Sequence, residues 1–450
     1  MSLGNIVGLM RRKRELTRHE AWSREQLEAH QMRELAALRA YTCARSPFYR
    51  KFHKGLETAP LPELPVLTKQ TLMANFDEAA ADRAIKLSGV EAHPAKAGPT
   101  ERYLGRYTVS ATSGSTGSRG YFLFAPKEWT FLLATYSRAA WWAGVGPRIG
   151  KPMRSVRFGS PVPWHQSVQV GASIESKSLA PMLHLDSTMP MSEIVRQLND
   201  WQPGYVGTYA SLARALAEQQ LAGALAIKPQ MIGCGAEVLT AETRSMIERA
   251  FGKVLYDYYG ASETGVIATE CAEHTGLHCQ EDLTIVEIVD AGGNPVPAGA
   301  FGERVLVTVL YRRAQPLIRY EISDRVRLQE GTCTCGRPFR RIEAVQGRVE
   351  ETLYLPGMNG GARAVDSSAF ETVLDRVPAT QWQVVQDDSG IDILLAGLAP
   401  EYADEKIIRP LQSALEGQGL RAPPIRVQRV PAIPRGATGK SPLIKSNLRR

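Results

Sequence analysis

Apolar positions change their spacing along this chain, and the changes divide it into regions. Between Ser23 and Ala44, Met32, Leu35 and Leu38 recur at helical intervals, which predicts a helix. Ser23 with Gln26 reads as its capping box, and Ser46-Pro47 as its end. Leu61-Pro62-Glu63-Leu64-Pro65 is an extended connector, after which Thr68 is placed to cap another helix. From Tyr107 to about Arg340, β-rich runs at 155–158, 204–207, 231–233 and 253–258 alternate with helical runs at 129–142, 191–198, 212–221 and 241–251. Strands that alternate with helices predict parallel βαβ units. The runs 283–289, 304–310 and 324–328 read as an antiparallel β region, with Gly292-Gly293-Asn294-Pro295 as a turn within it. At Gly347-Arg348-Val349-Glu350 the character changes. Strands at 383–385 and 391–395 then mix with helices at 367–374 and 405–416, as in a small α+β module. The expected fold is α/β: a large N-terminal domain (1–347) of α/β subdomains with parallel sheets plus a β-rich subdomain, then a small α+β C-terminal domain (348–450).

Composition narrows this little. The chain has 450 residues, 44% hydrophobic and 22% charged, which is ordinary for globular proteins. The net charge of +8 is spread along the chain and suits anionic small molecules. No helix or finger motif of a nucleic-acid reader appears, so no nucleic-acid partner is expected. No apolar run reaches the length of a membrane span. At the N-terminus, Arg11-Arg12-Lys13-Arg14 follows the short apolar piece, the reverse of a secretory signal, and reads as a solvated face. Six cysteines do not make a disulfide scaffold. A soluble cytoplasmic protein without a membrane partner is expected.

The stretch Thr112-Ser113-Gly114-Ser115-Thr116-Gly117-Ser118-Arg119-Gly120 follows a β-prone run and is dense in glycine and hydroxyls. Such a loop can surround phosphate oxygens with hydroxyls and backbone N–H groups. It lacks the Gly-Lys-Ser/Thr of the common nucleotide loop, and alone it also fits a polar linker. Five further segments follow in order: Gly235-Ala236-Glu237, Tyr258-Tyr259-Gly260-Ala261-Ser262-Glu263-Thr264-Gly265, Arg319-Tyr320-Glu321-Ile322-Ser323-Asp324, Gly347-Arg348-Val349-Glu350 and Pro434-Arg435-Gly436-Ala437-Thr438-Gly439-Lys440. Singly, each has a plain reading as a strand exit, a turn or a solvated tail.

Together and in this order, the six segments resemble the adenylate-forming superfamily of acyl-coenzyme A synthetases, adenylation domains and luciferases. Ser46-Pro47-Phe48-Tyr49, Leu64-Pro65-Val66-Leu67-Thr68-Lys69 and Pro316-Leu317-Ile318-Arg319-Tyr320 resemble its phenylacetate–coenzyme A ligase branch. The resemblance implies that Thr112, Ser113, Gly114, Ser115, Thr116 and Gly117 hold the β- and γ-phosphates of ATP. Arg119 stands near the position where the family usually carries lysine. Gly235, Ala236 and Glu237 would lie along the adenine, and Tyr258, Tyr259, Gly260 and Ser262 would complete the nucleotide site. Glu263 would bind Mg²⁺, Asp324 the ribose hydroxyls, and Arg348 would close over the nucleotide. Glu350 would be the hinge of a C-terminal domain that rotates between half-reactions, and Lys440 the catalytic cation. The implied activity joins a carboxylic acid to coenzyme A through an acyl-adenylate. An amine or a carrier-protein pantetheine is the alternative acceptor. A non-catalytic nucleotide- or acyl-binding regulator is the alternative of another class, against which Glu263, Asp324 and Lys440 stand. Monomer and homodimer are both open.

Cys271 and His278 precede Cys333-Thr334-Cys335-Gly336 by about sixty residues. Three thiolates and one imidazole suit a closed structural zinc site. His274 and Cys279 lie close by, so the ligand set is not unique, and reduced thiols are the other reading. Cys43 and Cys234 read as packed small residues. For the acyl group, Trp141, Trp142, Trp164, His165, Tyr209 and Ala261 are the candidate pocket residues, and an aromatic or heteroaromatic acid is the first expectation.

Overall fold

The computed structural model describes the chain except residues 1–2, 94–97, 113–118, 147–151, 160–161, 176–179, 188, 349–352, 359, 366–369, 371–372, 375, 418, 435–440 and 449–450. Among the described residues, six α-helices precede the first strand: α1 (Leu3–His19), α2 (Arg24–Arg45), α3 (Pro47–Phe52), α4 (Lys69–Ala74), α5 (Phe76–Ala79) and α6 (Leu87–Ala92). The capping box of α2 forms in both directions, Gln26 N–H donating to Ser23 Oγ at 3.3 Å and Ser23 N–H to Gln26 Oε1 at 2.9 Å. Thr68 caps α4. Helix α1 departs from the sequence expectation. Its Leu16 is fully buried, beside Ala134 and Leu283. The basic cluster at 11–14 is therefore only partly solvated: Arg12 lies 3.8 Å from the Phe131 ring centroid, while Arg11, Lys13 and Arg14 stay exposed.

A hairpin, β1 (Thr108–Ala111) and β2 (Tyr121–Phe124), leads into α7 (Pro126–Trp142). Then come β3 (Ser155–Gly159), α8 (Gln166–Ile174), β4 (Met182–Asp186), α9 (Met191–Trp201), β5 (Tyr205–Thr208), α10 (Ala210–Leu221), β6 (Met231–Gly235), α11 (Ala241–Phe251) and β7 (Leu255–Ala261). Strands β4, β3, β5, β6 and β7 pair in parallel, as alternating strands and helices predict. The sheet continues antiparallel through β8 (Gly265–Glu270), β9 (Leu277–Cys279), β14 (Arg341–Arg348) and β13 (Asp324–Leu328). Among the described residues this sheet has nine strands.

Successive side chains of a strand face opposite ways, so residue parity sorts the two faces of this sheet. Val156, Phe158, Val206, Ile232, Cys234 and Leu255 form one core with Ile194, Leu198, Leu212, Leu216 and Ile247 of α9, α10 and α11. On the other face Met231, Tyr256, Tyr205 and Tyr258 pack with Ala139, Ala140 and Ala143 at the end of α7.

A separate antiparallel sheet holds β10 (Thr284–Val289), β11 (Arg304–Val309) and β12 (Tyr320–Ile322). The run 324–328, grouped by sequence with these strands, belongs instead to the edge of the large sheet. One residue, Ser323, separates β12 from β13, so the chain changes sheets there. Leu67 of the N-terminal connector pairs with Tyr320. Beyond 349–352, β15 (Tyr354–Pro356) and β16 (Ala362–Ala364) form a hairpin, and β17 (Gln381–Asp387), β18 (Gly390–Ala396), β19 (Ile425–Val430) and β20 (Ile444–Ser446) form a sheet in the order β19-β18-β17-β20. Helix α12 (Glu405–Gly417) buries Ile407, Leu411 and Leu415 there. This core is separate from those of the large sheet.

Candidate active site

Four of the six sequence motifs meet where β6 and β7 end and β13 begins. Gly235 is the register partner of Tyr258. A Cβ at Gly235 would come within 3.2 Å of the Tyr258 carbonyl oxygen, so glycine lets the two motifs touch. Ala236 adopts φ 66°, a left-handed conformation uncommon for alanine. The next residue, Glu237, is held at both carboxylate oxygens. Ser211 N–H, at the start of α10, donates to Oε2 at 2.9 Å, and Ser441 N–H donates to Oε1 at 2.9 Å. Ser441 is the residue after Lys440, and its hydroxyl donates to the Pro434 carbonyl at 3.3 Å. Lys440 itself and Glu350 lie outside the described residues.

Tyr259 donates its hydroxyl to Asp324 Oδ2 at 2.8 Å, and both residues are buried, at 7% and 9% exposure. Arg348 is the backbone register partner of Asp324 across β13 and β14. Three sequence candidates are thus adjacent. Tyr320 donates to Glu263 Oε1 at 3.4 Å. The Glu263 carbonyl accepts from Arg312, whose guanidinium also donates to the Leu123 carbonyl at 2.8 Å and to Gln315 at 3.2 Å. Arg312 is fully buried, 4.2 Å from the Phe124 ring centroid, and burial lowers its pKa. It ties the Glu263 turn to β2.

The hairpin that carries the glycine-rich stretch is closed at its foot. Thr112 N–H donates to the Gly120 carbonyl at 2.9 Å, and Gly120 N–H to Thr112 Oγ1 at 2.8 Å. Residues Ser113, Gly114, Ser115, Thr116 and Gly117 lie outside the described residues. A Cβ at Gly120 would stand 3.0 Å from Lys69 Cε, so Lys69 of α4 brings a second cation beside Arg119.

The acyl candidates separate. Trp142 packs on His278, with ring centroids 5.6 Å apart, and stacks with Phe339. Trp141 packs with Leu16 and Leu283. Both are corrected: the last turn of α7 aims them at α1 and the cysteine cluster, away from Tyr209. Trp164 lies against the hairpin with Val109 and Tyr121, and Arg119 lies 5.7 Å from its ring centroid. His165 is the residue before α8, and Ala261 packs on the main core. Tyr209 stays near Tyr136 and Arg157, and burial pushes its pKa up to about 12. Tyr136 donates to Gln166 Oε1 at 2.8 Å, and Gln166 Nε2 donates to the Ser262 carbonyl at 2.8 Å. That chain of bonds links α7 and α8 to the turn before Glu263.

The thiol cluster assembles from the end of β8, the middle of β9 and the turn between β13 and β14. Ligand atoms of Cys271, His278, Cys333 and Cys335 all lie within 4.8 Å of one another. The Cys271 and Cys333 sulfurs are 3.8 Å apart, and Cys335 Sγ is 3.4 Å from His278 Nε2. Two Zn–S bonds of about 2.3 Å at a tetrahedral angle would put their sulfurs about 3.8 Å apart, whereas a disulfide would need about 2 Å. The donor set therefore fits a closed tetrahedral zinc site. His274 turns away to Glu270 at 3.3 Å, and Cys279 points to the opposite face of β9 from His278. Burial and the nearby Arg337 and Arg341 hold the His278 pKa down, at about 4, so its imidazole is neutral.

No family model matches the chain. It is 27% identical to the phenylacetate–coenzyme A ligase of Thermus thermophilus, over 80% of this chain and 77% of that protein. It is 29% identical to the phenylacetate–coenzyme A ligase of Escherichia coli, over 76% of this chain and 75% of that one. The chain is a homologue of the phenylacetate–coenzyme A ligases. Its backbone follows 2-hydroxyisobutyryl-CoA ligase in the postadenylation state with a TM-score of 0.73, at 18% identity, covering 96% of this chain and 92% of that one. The α/β architecture is thus that of adenylate-forming CoA ligases.

In this ligase homologue, Arg312, Lys69 and Ser441 join the site without a mark in the sequence. Arg312 sits in Tyr311-Arg312-Arg313, which looks like an ordinary solvated pair of arginines. Ser441 has no signal beyond its place after Lys440. Lys69 ends the Leu64–Lys69 segment, but nothing there points to the glycine-rich loop.

Proposed function

We propose that the chain is an ATP-dependent acid–coenzyme A ligase. The carboxylate oxygen of an acid attacks the α-phosphorus of ATP, and pyrophosphate leaves. The thiol of coenzyme A then attacks the acyl carbonyl, loses its proton, and AMP leaves with the bonding electrons. The observation that carries this reading is the hydrogen bond from Ser441 to Glu237. It brings the chain next to Lys440 to the motif beside Tyr258, Tyr259 and Asp324. A cation there would neutralise charge growing on the carboxylate and α-phosphate oxygens.

In this reading the 112–117 stretch grips the β- and γ-phosphates, with Arg119 and Lys69 at its foot. Glu263 holds Mg²⁺, a hard cation suited to carboxylate and phosphate oxygen, which would offset pyrophosphate charge. Asp324, oriented by Tyr259, accepts from the ribose hydroxyls, and Arg348 sits one strand away. Glu237 aligns the C-terminal segment as well as bordering the adenine. Residues 1–347 and 348–450 act as two domains about Glu350. Cys271, His278, Cys333 and Cys335 hold a structural zinc remote from the chemistry. Among the described residues no helix is long and apolar enough to cross a membrane, and a cytoplasmic location accords with reduced thiols.

Acid-dependent ATP–pyrophosphate exchange tests the reading, with coenzyme A, an amine and a carrier protein then offered as acceptors. Exchange is expected, and Lys440→Ala should lower it by about 10²–10³-fold. Thioester formation with coenzyme A supports this acceptor; product formation only with an amine or carrier protein moves the chain to that class. Elemental analysis should give one zinc per chain, lost in Cys333→Ser; zinc-free folded protein overturns the metal assignment.

A further inference from the structure

Arg157 stands in the middle of β3 on the face turned toward α7 and α8. Parity puts it there, since Val156 and Phe158 both join the apolar core on the opposite side. Its register partner on β5 is Gly207, whose partner on β6 is Gly233. That row has two positions without side chains. Tyrosine rings fold over them: a Cβ at Gly233 would meet Tyr258 Cε2 at 2.6 Å and the Tyr205 hydroxyl at 2.8 Å. The Arg157 guanidinium lies 6.0 Å from the Tyr136 ring centroid and acts electrostatically on Tyr136, Tyr209 and Tyr258. Its Nε is buried without a hydrogen-bond partner. Among the described residues it forms no ion pair; Glu175, the residue after α8, pairs with His184 at 3.6 Å.

Arg157 is half-buried; a guanidinium carries its charge at all working pH values, and one without a carboxylate beside it is open to an anionic ligand. Phenolic hydroxyls can donate to an anion but do not neutralise a cation. This face is joined to the Glu263 turn through Tyr136, Gln166 and Ser262. We propose that Arg157 reads the far end of the acyl substrate, and that the acid carries a second, anionic group. The acid is then a dicarboxylate or an aryl acid with an acidic substituent, its reacting carboxylate at the strand ends and its second charge on Arg157 and the tyrosine hydroxyls. The inference rests on the ligase reading and deepens it.

The test is ATP–pyrophosphate exchange with phenylacetate, 4-hydroxyphenylacetate, 4-carboxyphenylacetate and adipate, using the full chain and its Arg157→Met, Arg157→Gln and Arg157→Lys variants. The parent should favour 4-carboxyphenylacetate or adipate over phenylacetate. Arg157→Met and Arg157→Gln should lower kcat/KM for the doubly anionic acids by about 10–100-fold, the range of a charged hydrogen bond. Phenylacetate and the KM for ATP should change little, and Arg157→Lys should recover part of the loss. The ratio of two acids within one variant cancels any loss of folded protein. A parent that favours phenylacetate, an equal loss for all acids, or a change confined to ATP or coenzyme A overturns the inference and leaves the ligase reading standing. No exchange with any acid, across a panel of aryl and aliphatic acids, overturns both.

Discussion

The two faces of the large sheet are built from the same strands, yet they differ in almost every respect. One face is a continuous apolar layer: Val156, Phe158, Val206, Ile232, Cys234 and Leu255 pressed on α9, α10 and α11. The other bears Arg157, Tyr205 and Tyr258, with Gly207 and Gly233 between them. Glycine within a strand costs roughly 0.5–1 kcal/mol relative to alanine, and here it leaves room for aromatic rings. The difference teaches that residue parity alone can divide a sheet between an apolar layer that holds the fold and a face of tyrosines, glycines and one arginine. Odd and even positions of β3 thus meet different surroundings.

The largest expected effect lies on the apolar face. Ile232→Ala should lower stability by about 2–5 kcal/mol in urea unfolding, because Ile232 is buried in the core and its truncation leaves a cavity. The KM values for ATP and acid should stay within twofold; a large shift in either would break the division between faces. A smaller effect sharpens it at an ionisable exception. Asp257 shares the parity of Leu255 and lies beside Cys234. Burial first, and Glu270 second, raise its pKa to about 7. The folded protein thus keeps a proton there that the unfolded chain releases near pH 4. Stability from this group is full below about pH 4 and is lost as pH rises through about 7. Asp257→Asn should remove that loss, so its advantage over the parent should grow between pH 5 and pH 8. Each pH unit that separates the folded from the unfolded titration is worth about 1.4 kcal/mol, so even part of the separation is measurable. A constant difference across that range would mean that Arg244 already neutralises the carboxylate.

Much of this is legible in the chain. The helix at 241–251 matches α11 at both ends, and the strands at 231–233 and 253–258 lie within two or three residues of β6 and β7. These runs have strong periodicity and clear punctuation. The motifs around 235, 259, 263 and 324 do converge, because strands β6, β7 and β13 end or begin on one side of the sheet. Helix α1 is hidden, since a run of four basic residues looks solvated until Phe131 is beside it. Trp141 and Trp142 look like pocket residues because periodicity gives the position of a helix and not its rotation against the rest of the fold. The antiparallel pairing of β13 is legible, but its place in the large sheet is not, because a one-residue change of sheet at Ser323 leaves no local mark. The bond from Ser441 to Glu237 spans 204 residues, and no spacing rule reaches that far. Arg157 is invisible for a related reason: which parity of β3 faces the core depends on α9 to α11 packing where they do.

The separation of Arg157 from the strand ends bears on how such a protein can change over generations. Glu237 takes its bonds from Ser211 and Ser441, and Asp324 accepts from Tyr259. Arg157 stands on a different strand from all of these, facing away from the apolar layer under α9 to α11. If Arg157 reads the acid as proposed, a duplicated gene could exchange this one codon and sample other acids while its copy keeps the proposed nucleotide and thiol machinery unaltered. New selectivity would arise by single steps in the interior of a strand, without passing through an inactive ancestor.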